Sequence, residues 1–128
     1  MATIFTKIIE GEIPCYKIAE DDKFLAFLDI SPLAKGHTLV IPKVEIDYIF
    51  DVEDNVLGEM MVFAKKVALK VEKVIPCERI GVSIIGLEVP HAHIHLVPMN
   101  TADDVNFTRA KLSLSKEEML DVLAKING

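Results

Sequence analysis

Apolar side chains recur at spacings of three and four from about Asp54 to Val74, at Leu57, Met60, Met61, Ala64, Val67, Ala68, Val71 and Val74. This period predicts one long amphipathic helix, and Pro76 bars its continuation. Short runs of another kind precede and follow it. Cys15 to Glu20 and Lys23 to Leu28 read as a hairpin around the Asp21-Asp22 turn, and His37 to Ile41 reads as a strand ended by Pro42. Arg79 to Ile85 reads as a buried strand. His91 to Val97 alternates polar and apolar residues with period two and predicts a half-buried strand. Thr3 is placed to cap a short helix through Ile9 that Gly11 stops, and Ser115 with Glu118 forms a capping box for a last helix to about Ala124. Asn100 to Ser113 reads as loop. Strands that arrive mostly as neighbours, with one long helix among them, predict an α+β fold. The expected architecture is an antiparallel sheet of about five strands, covered by helices on one side.

Composition narrows the class. The 128 residues carry 14 basic and 20 acidic side chains, a net charge of −6, with six phenylalanines, two tyrosines and no tryptophan. A basic surface interleaved with aromatics is therefore missing, which argues against polymeric nucleic acid as partner. The length suits a single domain, 1–128, without linkers or repeats. Cys15 and Cys77 form no C-x-x-C pair and read as free thiols. No charge-free run reaches the roughly 18 residues of a membrane span, and the stretch before Gly11 lacks the layout of a signal peptide. A cytoplasmic protein without membrane partners is expected.

Three of the four histidines, His91, His93 and His95, alternate within five residues. On a strand they share one face while Ala92, Ile94 and Leu96 point into the core. A solvated polar face is the bland reading, but nothing structural demands the repeat. Metal ligation is a second reading, limited by geometry: His91 and His95 lie roughly 13 Å apart along a strand, so three rings cannot converge on one ion. Glu88 is the nearest carboxylate, uncorroborated by further ligand spacing. In the third reading the middle imidazole, largely neutral at pH 7, attacks phosphorus while a flanking ring donates hydrogen bonds or a proton.

The run His91-Ala92-His93-Ile94-His95-Leu96-Val97-Pro98 resembles the H-x-H-x-H-x-x signature of the histidine triad superfamily of nucleotide hydrolases and transferases. Ile4-Phe5-x-Lys7-Ile8-Ile9, Glu12-Ile13-Pro14, Phe27 to Pro32 and Gly36 to Lys43 resemble its branch of small nucleoside phosphoramidases, so the likeness runs from about residue 4 to 98. The resemblance implies that His93 is the nucleophile on an α-phosphorus, oriented by a backbone carbonyl, and that His95 contacts phosphate and leaving group. His91, linked to His37, would support the tautomer. Asp29 would accept the ribose hydroxyls, and Phe5, Ile8, Phe27, Leu28 and Ile30 would line the base pocket. Such a carboxylate suits a diol and such an apolar slot a purine face.

Departures from the family pattern carry their own expectations. Thr3 and Thr6 stand where zinc-binding members have paired cysteines, so no metal or other cofactor is expected. The polar run that usually precedes the triad is replaced by Ser83-Ile84-Ile85-Gly86-Leu87-Glu88-Val89, in which Ser83 substitutes for an asparagine and Glu88 would repel a phosphate it faced. Together these residues imply a metal-independent hydrolase of a purine nucleotide derivative, working through a nucleotidyl-His93 intermediate. Its leaving group would be an amine or a nucleotide phosphate. Alternatives are a dinucleoside polyphosphate hydrolase and a nucleotide-binding regulator with weak catalysis. The resembled branch further implies a homodimer, with Met60 and Met61 among the apolar side chains to be covered.

Overall fold

Asp21 Oδ1 accepts the amide hydrogens of Lys23 and Phe24, both at 2.8 Å, and closes the turn that folds β1 (Lys17–Glu20) against β2 (Phe24–Leu28). β3 (Thr38–Pro42) follows, then a 3-10 turn at Ile49–Asp51, the long helix, β4 (Arg79–Ser83) and β5 (Ile94–Met99). All pairings are antiparallel, and the spatial order is β1-β2-β3-β5-β4. The computed structural model describes residues 3–128. Its helices are α1 (Ile4–Ile9), α2 (Asp54–Val74) and α3 (Lys116–Asn127), so the expected α+β architecture of five strands and one long helix is observed. Thr3 caps α1, and Ser115 and Glu118 form the reciprocal box at α3. Among the described residues no helix is long and apolar enough to cross a membrane.

The period-two pattern of the strands sorts the core into two layers. Phe24, Ala26, Val40, Ile94 and Leu96 pack against Met60, Ala64, Val67 and Val71 of α2 and against Met119, Val122 and Ile126 of α3. On the opposite face Leu25, Phe27, Leu39 and Ile41 pack with Phe5 of α1. Helices therefore cover both faces, not one as expected. α1 is too short for its pattern to say which side of the sheet its apolar residues will meet. Gly36 is dictated by this packing: its φ is +89°, and a Cβ there would stand 3.0 Å from Ile75 Cγ1 and 3.3 Å from Val71 and Pro98.

Two further expectations are corrected. The segment read as a buried strand, Arg79 to Ile85, forms β4 only as far as Ser83, at the sheet edge, and leaves Val82, Ile84 and Ile85 exposed. A short apolar run does not reveal whether a second strand will flank it. Met60 is fully buried, whereas Met61 is exposed, because adjacent helical positions lie about 100° apart.

Candidate active site

β5 lies between β3 and β4, and one rung of the sheet places Phe27, Leu39, His95 and Ser83 side by side. Cross-strand partners share a face, so this rung sets His95 and Ser83 on the side covered by α1. Preceding it, His91, Ala92 and His93 run outside the strand ladder. Pro42 has no N–H with which to continue β3 pairing, and the Ala92 amide donates instead to the Ile46 carbonyl at 2.7 Å. The expected half-buried strand is thus corrected in two respects. β5 begins only at Ile94, and the triad side chains are 0%, 5% and 8% exposed at His91, His93 and His95, since α1 and the chain after β5 both fold over them.

Each ring is held by a partner that decides where its proton sits. His93 Nδ1 donates to the His91 carbonyl at 2.7 Å, which leaves the Nε2 lone pair free. The Leu33 amide donates to His37 Nδ1 at 2.9 Å, so His37 carries its hydrogen on Nε2 and donates it to His95 Nδ1, also at 2.9 Å. The hydrogen of His95 is thereby directed to Nε2. His91 Nε2 donates to the Pro42 carbonyl at 2.8 Å, and the Thr3 hydroxyl lies 3.4 Å from Nδ1. The expected link between His91 and His37 is corrected: His37 holds His95, and His91 supports His93 through its backbone carbonyl. Strand register makes the difference, because Leu39 opposes His95 and brings His37 to the His95 end of the triad.

Burial favours the uncharged form of His37, His95 and His91. His37 is lowered to about 4 and His95 to about 3, chiefly by loss of water and further by the neighbouring His93 and Lys111. His91 is lowered too, again by burial. Asp29 is raised by burial, opposed by the Ser31 amide that donates to its Oδ1 at 2.8 Å. Asp29 Oδ2 stands 3.6 Å from His37 Nε2, and ligand atoms of Asp29, His37 and His95 all lie within 4.8 Å of one another. That cluster has the spacing of a metal site but not its donor set. The Leu33 amide occupies Nδ1 of His37, so Nε2 keeps its hydrogen and offers an ion no lone pair.

Beside His93 an apolar slot of about 110 Å³ is lined by Phe5, Ile8, Phe27, Leu28, Asp29 and Ile30 together with Ile4, Ile13, Pro14, Cys15 and Leu39. Phe5 meets Phe27 edge to face at 5.7 Å and His93 at 5.0 Å. Every residue expected at the base pocket is therefore present, although the Leu28 side chain belongs to the cluster under α2 and Ile30 is 70% exposed. Val89 packs beside Phe5 and Leu39. Larger clefts elsewhere, such as the 430 Å³ one between Lys35, Ile75 and Lys125, contain no histidine. Sequence reasoning missed four participants: the Leu33 amide, the Pro42 carbonyl, Phe107 and Lys111. The first two act through backbone atoms that side-chain pattern does not mark. Phe107, over His95 at 4.5 Å, lies in a segment read as unstructured loop.

A family model described as HIT domain matches residues 10–102. An uncharacterized HIT-like protein of Borreliella burgdorferi is 36% identical over 97% of this chain and 95% of its own length. An adenosine 5′-monophosphoramidase of Schizosaccharomyces pombe is 40% identical over 77% of this chain and 74% of its own. Among solved structures, a HIT-like protein from Bartonella henselae, described as involved in cell-cycle regulation, superposes with a TM-score of 0.84 at 31% identity, covering 98% of this chain and 94% of that one.

Proposed function

The chain belongs to the HIT-domain family, and from that premise we propose that it hydrolyses nucleotide conjugates at the α-phosphorus through a nucleotidyl-His93 intermediate. The observation that carries this reading is the 2.7 Å bond from His93 Nδ1 to the His91 carbonyl, which leaves an unprotonated Nε2 in a site that also holds a directed His95 N–H. In the first step the Nε2 lone pair forms a bond to phosphorus as the bond to the leaving group breaks. The released electron pair stays on the departing atom, which takes a proton from solvent. Water then attacks phosphorus, breaks the N–P bond, gives up a proton to solvent and releases the nucleoside monophosphate. Splitting the displacement in two lowers each barrier. His95 is uncharged and has its only hydrogen on Nε2, so it serves as a hydrogen-bond donor to the phosphate or leaving group rather than as a cationic acid.

A purine nucleoside is the favoured ligand. The Phe5–Phe27 slot supports a flat apolar base, and Asp29, with Oδ2 free of backbone partners, supports the ribose hydroxyls. The phosphoramidase name of the fission-yeast relative supports an amine leaving group. The position of Ser83 on the rung of His95 supports a contact to a phosphate oxygen, and the Gly86–Val89 loop adds Leu87, which is 88% exposed and donates nothing from its side chain. A homodimer is supported by the unpaired outer edge of β4 and by the exposed Val82, Ile85, Met61 and Val62. The whole chain would act as one domain in the cytoplasm.

The test incubates the parent and His93→Ala with adenosine 5′-phosphoramidate and with diadenosine polyphosphates, with and without chelator, and follows nucleotide release. Turnover of the phosphoramidate that vanishes in His93→Ala and survives chelation is expected. Equal turnover by the variant would remove the nucleophile. Preference for the dinucleotides would favour a polyphosphate hydrolase, and binding without turnover a regulator.

A further inference from the structure

The family match ends at residue 102, yet the chain after it returns to the site. A 3-10 turn at Ala102–Val105 is held by a reciprocal cap between Thr101 and Asp104. Its Val105 sits on β4 at Gly81, where a Cβ would come 3.0 Å from Val105 Cγ2 and 2.6 Å from Met99 Sδ. Arg109 braces the next turn on the Asp103 carbonyl at 2.8 Å and the Asp104 carboxylate at 3.1 Å, and the Leu112 amide donates to the Pro32 carbonyl at 2.8 Å. Anchored at both ends, the segment lays Phe107 edge to face over His95 at 4.5 Å and over His37 at 6.1 Å. Lys111 then folds back: its Nζ donates to the Phe107 carbonyl at 2.9 Å and lies 5.7 Å from the ring centre.

Lys111 is placed on one side of the nucleophile. Its charge bears on Asp29, His37 and His95, whereas His91 responds to Glu45 and His93. The base slot approaches His93 through Phe5, which contacts His91 and His93. In-line attack by His93 sends the leaving group away from that ring; the side of the site away from Phe5 is bounded by His95, with Phe107 over it at 4.5 Å. An anionic group arriving there meets repulsion from Asp29, whose carboxylate lies within 4.8 Å of ligand atoms of His37 and His95. A lysine on the rim of a partly water-excluded cleft offsets that repulsion.

We propose that the segment after β5 forms the leaving-group wall of the site and that Lys111 binds leaving groups carrying their own negative charge, so that conjugates of anionic amines are preferred over neutral ones. This rests on the hydrolase reading above and adds to it the class of leaving group. Phe107 is the positioning residue of the wall and Lys111 its binding residue.

The experiment compares the adenosine 5′-phosphoramidates of glycine and of glycinamide, which differ by one carboxylate charge, as substrates of the parent, Lys111→Gln and Lys111→Arg. The expected kcat/KM of the parent is about tenfold higher for the glycine conjugate at low salt, the scale of one partly screened charge pair. Lys111→Gln loses that preference through a fall that is larger on the glycine conjugate than on glycinamide; Lys111→Arg retains the preference. A preference that survives in Lys111→Gln, or an equal fall on both conjugates, overturns the assignment while leaving His93 chemistry intact. Failure of the parent to hydrolyse either conjugate removes the reaction and the selectivity with it.

Discussion

Acidification from pH 7 to pH 5 is expected to cost this fold about 4 kcal/mol, and the histidine pair is the cause. His37 and His95 are buried, hydrogen-bonded to each other, and lowered to about 4 and about 3. Both stay neutral in the native state throughout that interval, whereas in the unfolded chain each titrates near 6.5. Below 6.5 the unfolded state binds more protons, so stability falls as pH falls, continuing until the folded values are reached. At pH 5 an ordinary histidine is almost fully protonated, and the linkage relative to pH 7 is about 2 kcal/mol for each ring. The result does not depend on how far below 5 the native values lie. His91, lowered by burial, acts in the same sense. Asp29, raised by burial, acts oppositely, gaining stability as pH falls through its native value. Carboxylates such as Glu20 and Glu118, held below their ordinary range by lysine and by a helix cap, lose stability only below about pH 4.5. Urea unfolding followed by circular dichroism at pH 7, 6 and 5 checks the figure. A His37→Gln/His95→Gln double variant should be less stable at pH 7 and much flatter in pH. A parent whose unfolding free energy is unchanged between pH 7 and 5 would refute the neutral, relayed pair and with it the donor role of His95.

Three other outcomes follow from single contacts. Gly36→Ala should lose about 2–4 kcal/mol in the same urea assay, from left-handed strain and the crowding of Ile75. Asp29→Asn should abolish the preference for a ribonucleotide over its deoxy counterpart, measured as competing inhibitors; equal binding of both by the parent would count against the contact. Glu45 accepts from the Thr3 amide at 3.0 Å and from the Thr6 hydroxyl, tethering α1 over the triad. Glu45→Ala should therefore loosen α1, seen as faster amide exchange at Phe5 and weaker nucleotide binding, with recovery in Glu45→Gln.

Legibility varied with the range of the interaction. α2 was bounded from Asp54 to Val74 by its own period and by Pro76, and both capped helices announced their starts, because those signals act within a few residues. The apolar slot beside His93 was legible through Phe5, Ile8, Phe27 and Asp29, each in a motif of recognisable form. The partner of His37 was not, since it depends on which residue of β5 the register sets beside Leu39. Nor was the role of Phe107, which comes from a loop with no periodic signal and reaches His95 only because Gly81 admits Val105 onto the sheet. The exposure of β4 was misread for a related reason: a strand's own residues do not say whether it will have one neighbour or two.

By itself the chain determined its helices, the approximate place of its strands, their α+β class and the three alternating imidazoles, which rest on side-chain spacing and on the order of the segments. Tertiary structure decided how those imidazoles hold their protons. The carbonyls of His91 and Pro42 and the amide of Leu33 set the tautomers of His93, His91 and His37, and these backbone atoms are the same in every residue until folding aims them.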